Sequence, residues 1–173
     1  MDIMKKVSLA ILAFILVVSC GGQQINQTEF DEKAGDNILI GQVDMEGFEL
    51  APFNEWFDEE FDVYQVDDST LSTMDKDDFS DNVRITMVLG TWCGDSRREV
   101  PRFYKILESL EYDLENMTVI CVNTSKTAEG TNVDQLNIQK VPTIIYYKDE
   151  IELGRIIESP QESLEKDMSS IVK

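Results

Sequence analysis

The sequence predicts an α/β domain, and three observations predict it. Apolar runs of strand length recur at Arg84 to Leu89, Met117 to Val122, Thr143 to Tyr147 and Ile151 to Ile157. Between the first two lies a stretch with Val100, Phe103, Leu107 and Leu110 at three- and four-residue steps, the single apolar stripe of a helix packed on a sheet. The chain of 173 residues is long enough for one domain with a sizeable core.

The N-terminus reads as a processing segment, residues 1–19. Lys5 and Lys6 form a basic start, and Val7 to Val18 is an apolar run interrupted only by Ser8. A spanning helix needs about 20 apolar residues, so the run fits a signal peptide better than a membrane anchor. It ends Val17-Val18-Ser19-Cys20-Gly21, which resembles the lipobox of bacterial lipoproteins. That resemblance implies that Cys20 becomes the lipidated first residue of the mature chain. Residues 20–36 are polar and poor in bulky apolar side chains, and they read as the lipidated cysteine and a flexible tether. The domain proper is expected over 37–173.

Ile38 to Val43 reads as a short strand at an edge of the sheet. Pro52 can open a helix, with Phe53, Trp56, Phe57 and Phe61 following at helical spacing. That aromatic face is either a helix packed on the sheet or a docking surface. Asp67 to Asp81 is dense in aspartate, but it lacks the spacing and turn glycine of a calcium loop, so it reads as a solvated acidic helix or loop. Met117 to Val122 is a continuous apolar run suited to a central strand. A loop follows from Asn123 to Gly130, then a short helical stretch near 133–138. After the strands Thr143 to Tyr147 and Ile151 to Ile157, a last helix is expected from about Gln161 to Ile171, starting at Ser159 or Pro160.

Composition narrows the function. The formal charge of −19 repels nucleic acid and anionic headgroups, and loss of Asp2, Lys5 and Lys6 with the signal peptide makes the mature chain more negative still. Nucleic-acid binding is set aside, and membrane attachment rests on the acyl chains of Cys20. With no histidine in the chain, a Cys-His dyad is excluded and neither a zinc site nor any other metal or cofactor is expected. Of three cysteines the lipobox takes Cys20, leaving Cys93 and Cys121 in an exported, disulfide-permissive compartment. Cys121, inside a strand, is either a small core hydrophobe or a resolving partner for Cys93.

Cys93 sits where the strand Arg84 to Leu89 runs into the helix. Unpaired backbone N–H groups and the helix dipole at that point favour a thiolate. The run Trp92-Cys93-Gly94-Asp95-Ser96 resembles the Trp-Cys-Gly-x-Cys motif of the thioredoxin superfamily. Pro101 matches the proline in that family's active helix, and Val141-Pro142-Thr143 matches its Val-Pro-Thr segment. The resemblance spans roughly Asp36 to Val172. It implies a thioredoxin fold, a central mixed sheet flanked by helices, with a cis bond before Pro142. It also implies a surface of Trp92, Gly94, Asp95, Val141 and Pro142 that receives substrate, with Val141 pairing to an extended segment.

Ser96 stands where the family has its second cysteine, and Met87 stands where it has a buried acid. The motif is therefore Cys-x-x-Ser, and the exit from a mixed disulfide through a second thiol is closed. Ser96 is expected to donate a hydrogen bond to the Cys93 thiolate. Arg97 and Arg98, with Arg102 and Lys105 further along one face, either support that thiolate and attract an anionic ligand or form a solvated charged face. The expected activity is thiol–disulfide exchange by a single cysteine with exported proteins or low-molecular-weight thiols, in the bacterial envelope, with the domain in the periplasm or at the cell surface. The alternative is a silent thioredoxin-fold binding or scaffold lipoprotein. A peroxide-reactive thiol lacks a peroxidase-type constellation.

Overall fold

The computed structural model describes residues 24–173. The expected signal peptide (1–19), the lipidated Cys20 and the first residues of the tether lie outside the described residues.

Alternation along the strands builds a two-faced sheet. In β3 (Val83–Leu89) and β4 (Met117–Cys121), Met87, Leu89, Val119 and Cys121 point to one side, whereas Val88, Ile120 and the following Val122 point to the other. The strands β1 (Gln27–Asp31), β2 (Asp36–Val43), β5 (Thr143–Lys148) and β6 (Ile151–Ile157) complete a six-stranded sheet of order β1-β2-β4-β3-β5-β6. Only β3 and β4 run parallel; the other neighbours are antiparallel. The connection between the parallel pair is α5 (Gly94–Ser109), which carries Pro101 in its interior.

The first face carries the larger core. There α1 (Met45–Glu49), α2 (Phe53–Val63), α5 and α6 (Leu164–Ile171) bring Phe48, Phe53, Phe57, Phe103, Tyr104 and Met168 against the sheet. Among the described residues, the second face is covered by chain without an α-helix. Ala128, Val133 and Val141 cap Val88 and Ile120 there, and the helical stretch expected near 133–138 is a single 3-10 turn, Val133–Gln135. The mixed sheet flanked by helices, the cysteine opening α5 and the cis peptide Val141–Pro142 before β5 make the fold thioredoxin-like.

Three expectations are corrected. Residues 27–36 are not tether: β1 pairs with β2 from Gln27↔Ile40 to Asp31↔Asp36, and the Asp31 carboxylate closes the turn by accepting the Lys33 and Ala34 amides at 2.8 and 3.0 Å. The domain therefore begins before residue 37. Because β1 covers it, β2 is an inner strand rather than an edge. The span between β2 and β3 holds four helices: α1, the aromatic α2, and α3 (Asp68–Leu71) and α4 (Lys76–Asn82) along the acidic stretch read as helix or loop. The last helix begins at Leu164, because Ser163 caps it and the Asp167 carboxylate takes the Gln161 and Glu162 amides into the preceding turn. The aromatic face of α2 is core: Phe53 and Phe57 are buried, with Trp56 and Phe61 packed beside them.

Candidate active site

The apolar β3 ends at Leu89, and Gly90–Trp92 carries the chain round to α5. Short hydrogen bonds hold this corner. Cys93 N donates to Gly90 O at 2.9 Å, and Trp92 Nε1 donates to Val122 O at 2.9 Å. The buried Thr91 accepts the Leu39 amide on its hydroxyl at 3.2 Å, and its carbonyl accepts Arg97 Nε at 2.6 Å. Gly90 itself is required by packing, since a β-carbon there would lie 2.5 Å from the Trp92 indole.

Cys93 is the N-cap of α5 with an extended backbone, and its side chain is half-buried. Its Sγ lies 3.3 Å from Val141 O, the carbonyl before the cis-proline. The structure thus joins Trp92 and Cys93 with Val141, from segments far apart in sequence, on the second face of the sheet, and Pro142 follows Val141 through the cis bond. Gly94 is exposed, and the space beside it is open. The Pro142 carbonyl accepts the Glu158 amide at 2.7 Å, which ties this loop to the end of β6.

Hydrogen bonds and ion pairs take the neighbours of Cys93 to other partners. Ser96 is buried, and its Oγ accepts the Gly90 amide at 3.3 Å instead of serving the thiolate; it ties the first turn of α5 to the end of β3. The cations of α5 do not gather at the sulfur. Arg98 pairs with both Asp95 and Glu99 at 2.7 Å and reaches Ser159 Oγ at 3.0 Å. Arg102 pairs with Glu60 at 2.7 Å and lies over the Tyr64 ring, and Lys105 donates to the Phe61 and Asp62 carbonyls. This face of α5 seats the acidic helix α2. Arg97 is exposed and holds the Thr91 carbonyl.

Cys121 is not placed to resolve a Cys93 disulfide. Both thiols are free, but Cys121 is fully buried on the first face of the sheet while Cys93 packs on the second. Burial pushes the Cys121 thiol well above the ordinary range, which keeps it protonated and unreactive. Among the described residues, no three Cys, Asp or Glu side chains come together as a metal site. Thr91 and Val122 are the contributors that sequence reasoning missed. Their partners lie far along the chain, and no local pattern marks them.

No protein-family model and no curated protein matches the chain. Solved structures do. A protein of unknown function from Pseudomonas aeruginosa is 18% identical, covering 73% of this chain and 77% of its own, with a TM-score of 0.48. Thioredoxin O2 from Arabidopsis thaliana, in its oxidized state, is 21% identical over 61% of this chain and 86% of its own, with a TM-score of 0.40. An HIV epitope-scaffold is 16% identical over 76% and 82%, with a TM-score of 0.50. At these identities the likeness concerns the fold.

Proposed function

We propose that the chain is a lipid-anchored protein of the bacterial cell envelope that performs thiol–disulfide exchange through Cys93 alone, with exported proteins or small thiols as partners. One observation carries this reading: a half-buried Cys93 at the start of α5, its Sγ 3.3 Å from the carbonyl before Pro142, with the other free cysteine of the described residues buried behind the sheet. The thioredoxin-like fold agrees with a redox role, although a fold alone does not supply one. In the proposed step the Cys93 thiolate attacks one sulfur of a partner disulfide. A Cys93–partner disulfide forms as the old bond breaks, and the other sulfur leaves as a thiolate that takes its proton from water. A thiol from outside the chain then attacks the mixed disulfide and restores Cys93. The number of disulfides is conserved, which suits isomerisation or removal of small-thiol adducts rather than net reduction. The sequence Val18-Ser19-Cys20 supports the anchor, and the short span from Cys20 to β1 keeps the domain close to the bilayer.

Exposure of the full chain to an oxidised protein partner, followed by a non-reducing gel and mass spectrometry, tests the proposal. Adducts are expected on Cys93, lost in Cys93→Ala and kept in Cys121→Ala. If the unaltered chain forms none where a free peptide cysteine does, the redox reading falls and a binding module takes its place.

A further inference from the structure

The sheet stops short of the sulfur. The ladder between β3 and β5 ends at Val88↔Thr143, and that between β5 and β6 at Thr143↔Ile157. The two walls of the site, residues 90–98 and residues 140–142, lie beyond the last pair. Among the described residues, two hydrogen-bonded links join those walls. One is the contact of Cys93 Sγ with Val141 O at 3.3 Å. The other runs through the turn that leaves β6. There Glu158 donates its amide to Pro142 O at 2.7 Å and pairs its carboxylate with Lys140, so it grips the segment on both sides of Val141. The next residue, Ser159, accepts Arg98 Nη2 on its hydroxyl at 3.0 Å, and the same nitrogen holds Asp95 in the first turn of α5 at 2.7 Å. Glu158 makes this turn at a φ of +67°, in the left-handed region that a residue with a β-carbon enters only at a cost. Strain of that kind persists where the surrounding contacts impose it.

We infer that Glu158 and Ser159 are positioning residues for exchange at Cys93, because their turn is the link between the two walls that the reaction leaves intact. The inference rests on the redox reading above and adds to it two residues outside the Cys-x-x-Ser motif. On attack Cys93 gives its proton to water and its sulfur bonds to a partner sulfur, whose former mate leaves as a thiolate. A sulfur without hydrogen no longer donates to Val141 O, and a thiolate facing that oxygen is repelled by it. The first link therefore opens in every turnover. The second contains no sulfur, and it holds the Val141 segment against α5 while the mixed disulfide stands. A small disulfide needs only the sulfur. An extended peptide also lies along the Val141 segment, so its exchange depends on where that segment is held.

Two uncharged probes test it: hydroxyethyl disulfide, and the oxidised dimer of a short neutral peptide with a central cysteine. Each is mixed with the full-length chain carrying Cys20→Ser in neutral detergent, and adduct formation on Cys93 is timed by intact mass. Ser159→Ala cuts the link at α5 and Lys140→Ala cuts it beside Val141; both residues are exposed. Each variant is expected to slow the peptide about two- to tenfold, the worth of one hydrogen bond expressed as a rate, and to change the hydroxyethyl disulfide rate by less than about twofold. Urea midpoints are expected to stay with the unaltered chain, as for other surface substitutions, and Ser159→Thr, which keeps the hydroxyl, is expected to restore the peptide rate. A peptide rate unchanged in either variant, equal slowing of both probes, a slowing that tracks a fall in urea midpoint, or no recovery in Ser159→Thr overturns the inference and leaves the redox reading standing. Absence of any Cys93 adduct with both probes overturns the redox reading, and this inference with it.

Discussion

Replacing Gly90 by alanine perturbs the packing that places Cys93. A β-carbon at position 90 falls 2.5 Å from both Cε2 and Nε1 of the Trp92 indole and 2.9 Å from Cζ2. The ring is rigid, packs against the second core and donates Nε1–H to Val122 O at 2.9 Å, so it cannot yield without giving up that bond. Gly90 is not among the positive-φ glycines, so the cost is steric rather than conformational. Overpacking costs about 1–3 kcal/mol. A carbonyl stripped of its donor costs about 1–3 kcal/mol more, while the stiffer unfolded chain returns about 0.4–1 kcal/mol. The expected loss is therefore about 1–5 kcal/mol, centred near 3, or roughly 5–15 °C in Tm at the centre of that range for a domain of this size. Equilibrium urea unfolding followed by far-UV circular dichroism measures it, alone and in a Trp92→Ala background. With the indole gone the same substitution is expected to cost about 0.5 kcal/mol or less, so nearly the whole effect appears as coupling. A loss under about 1 kcal/mol, or an equal loss in both backgrounds, refutes the assignment of Gly90 to the indole contact.

Two further outcomes follow from the core and from the hairpin turn. Phe57→Ala empties a side chain that is 2% exposed and stacked between Phe48 and Phe61 at 5.2 and 6.0 Å, so about 3–5 kcal/mol of stability is expected to go. A loss below about 1 kcal/mol would return the aromatic face to the status of a surface. The Asp31 carboxyl is held down to about 2, first by the Thr124 amide and then by the Ala34 amide. Because the folded value lies below the unfolded one, this contribution is full above about pH 4 and is lost as pH falls toward about 2. Asp67, held down to about 2 chiefly by the Ser69 hydroxyl, titrates in the same window. Urea midpoints are expected to fall through that window, less steeply in Asp31→Asn, and an unchanged slope in the variant counts against the turn.

Features fixed by local pattern were legible in the sequence, and features made by distant partners were not. The helix stripe of Val100, Phe103 and Leu107, the strands on either side and the pair Cys93 and Pro142 could be read because each follows a short period or a short motif. The strand β1 could not. Its one bulky apolar residue, Phe30, is 62% exposed, and what fixes the end of the strand is the Thr124 amide donating to the Asp31 carboxylate at 2.8 Å, from 93 residues further along the chain. Spacing put Arg98, Arg102 and Lys105 on one face, but only the fold places Glu60 opposite Arg102. The start of α6 shifted because Asp167 draws the preceding amides into a turn, and a proline followed by polar residues does not announce that.

Positions 87 and 96 are where the motif that the sequence resembles has a buried acid and a second cysteine, and both are closed to solvent at 0% exposure. Met87 packs in the larger core, where an aspartate would bury a carboxylate at a cost of several kcal/mol unless a partner came with it. Ser96 offers a hydroxyl to the Gly90 amide, and sulfur in its place is a weaker acceptor. A thiol placed at 96 alone would be closed to solvent, and burial without a charged partner disfavours the thiolate. An acid restored at 87 alone would strain the core with nothing to activate. Each present residue thus removes the use for the other's dithiol counterpart. On the proposed single-cysteine reading, two-thiol chemistry would need both changes together.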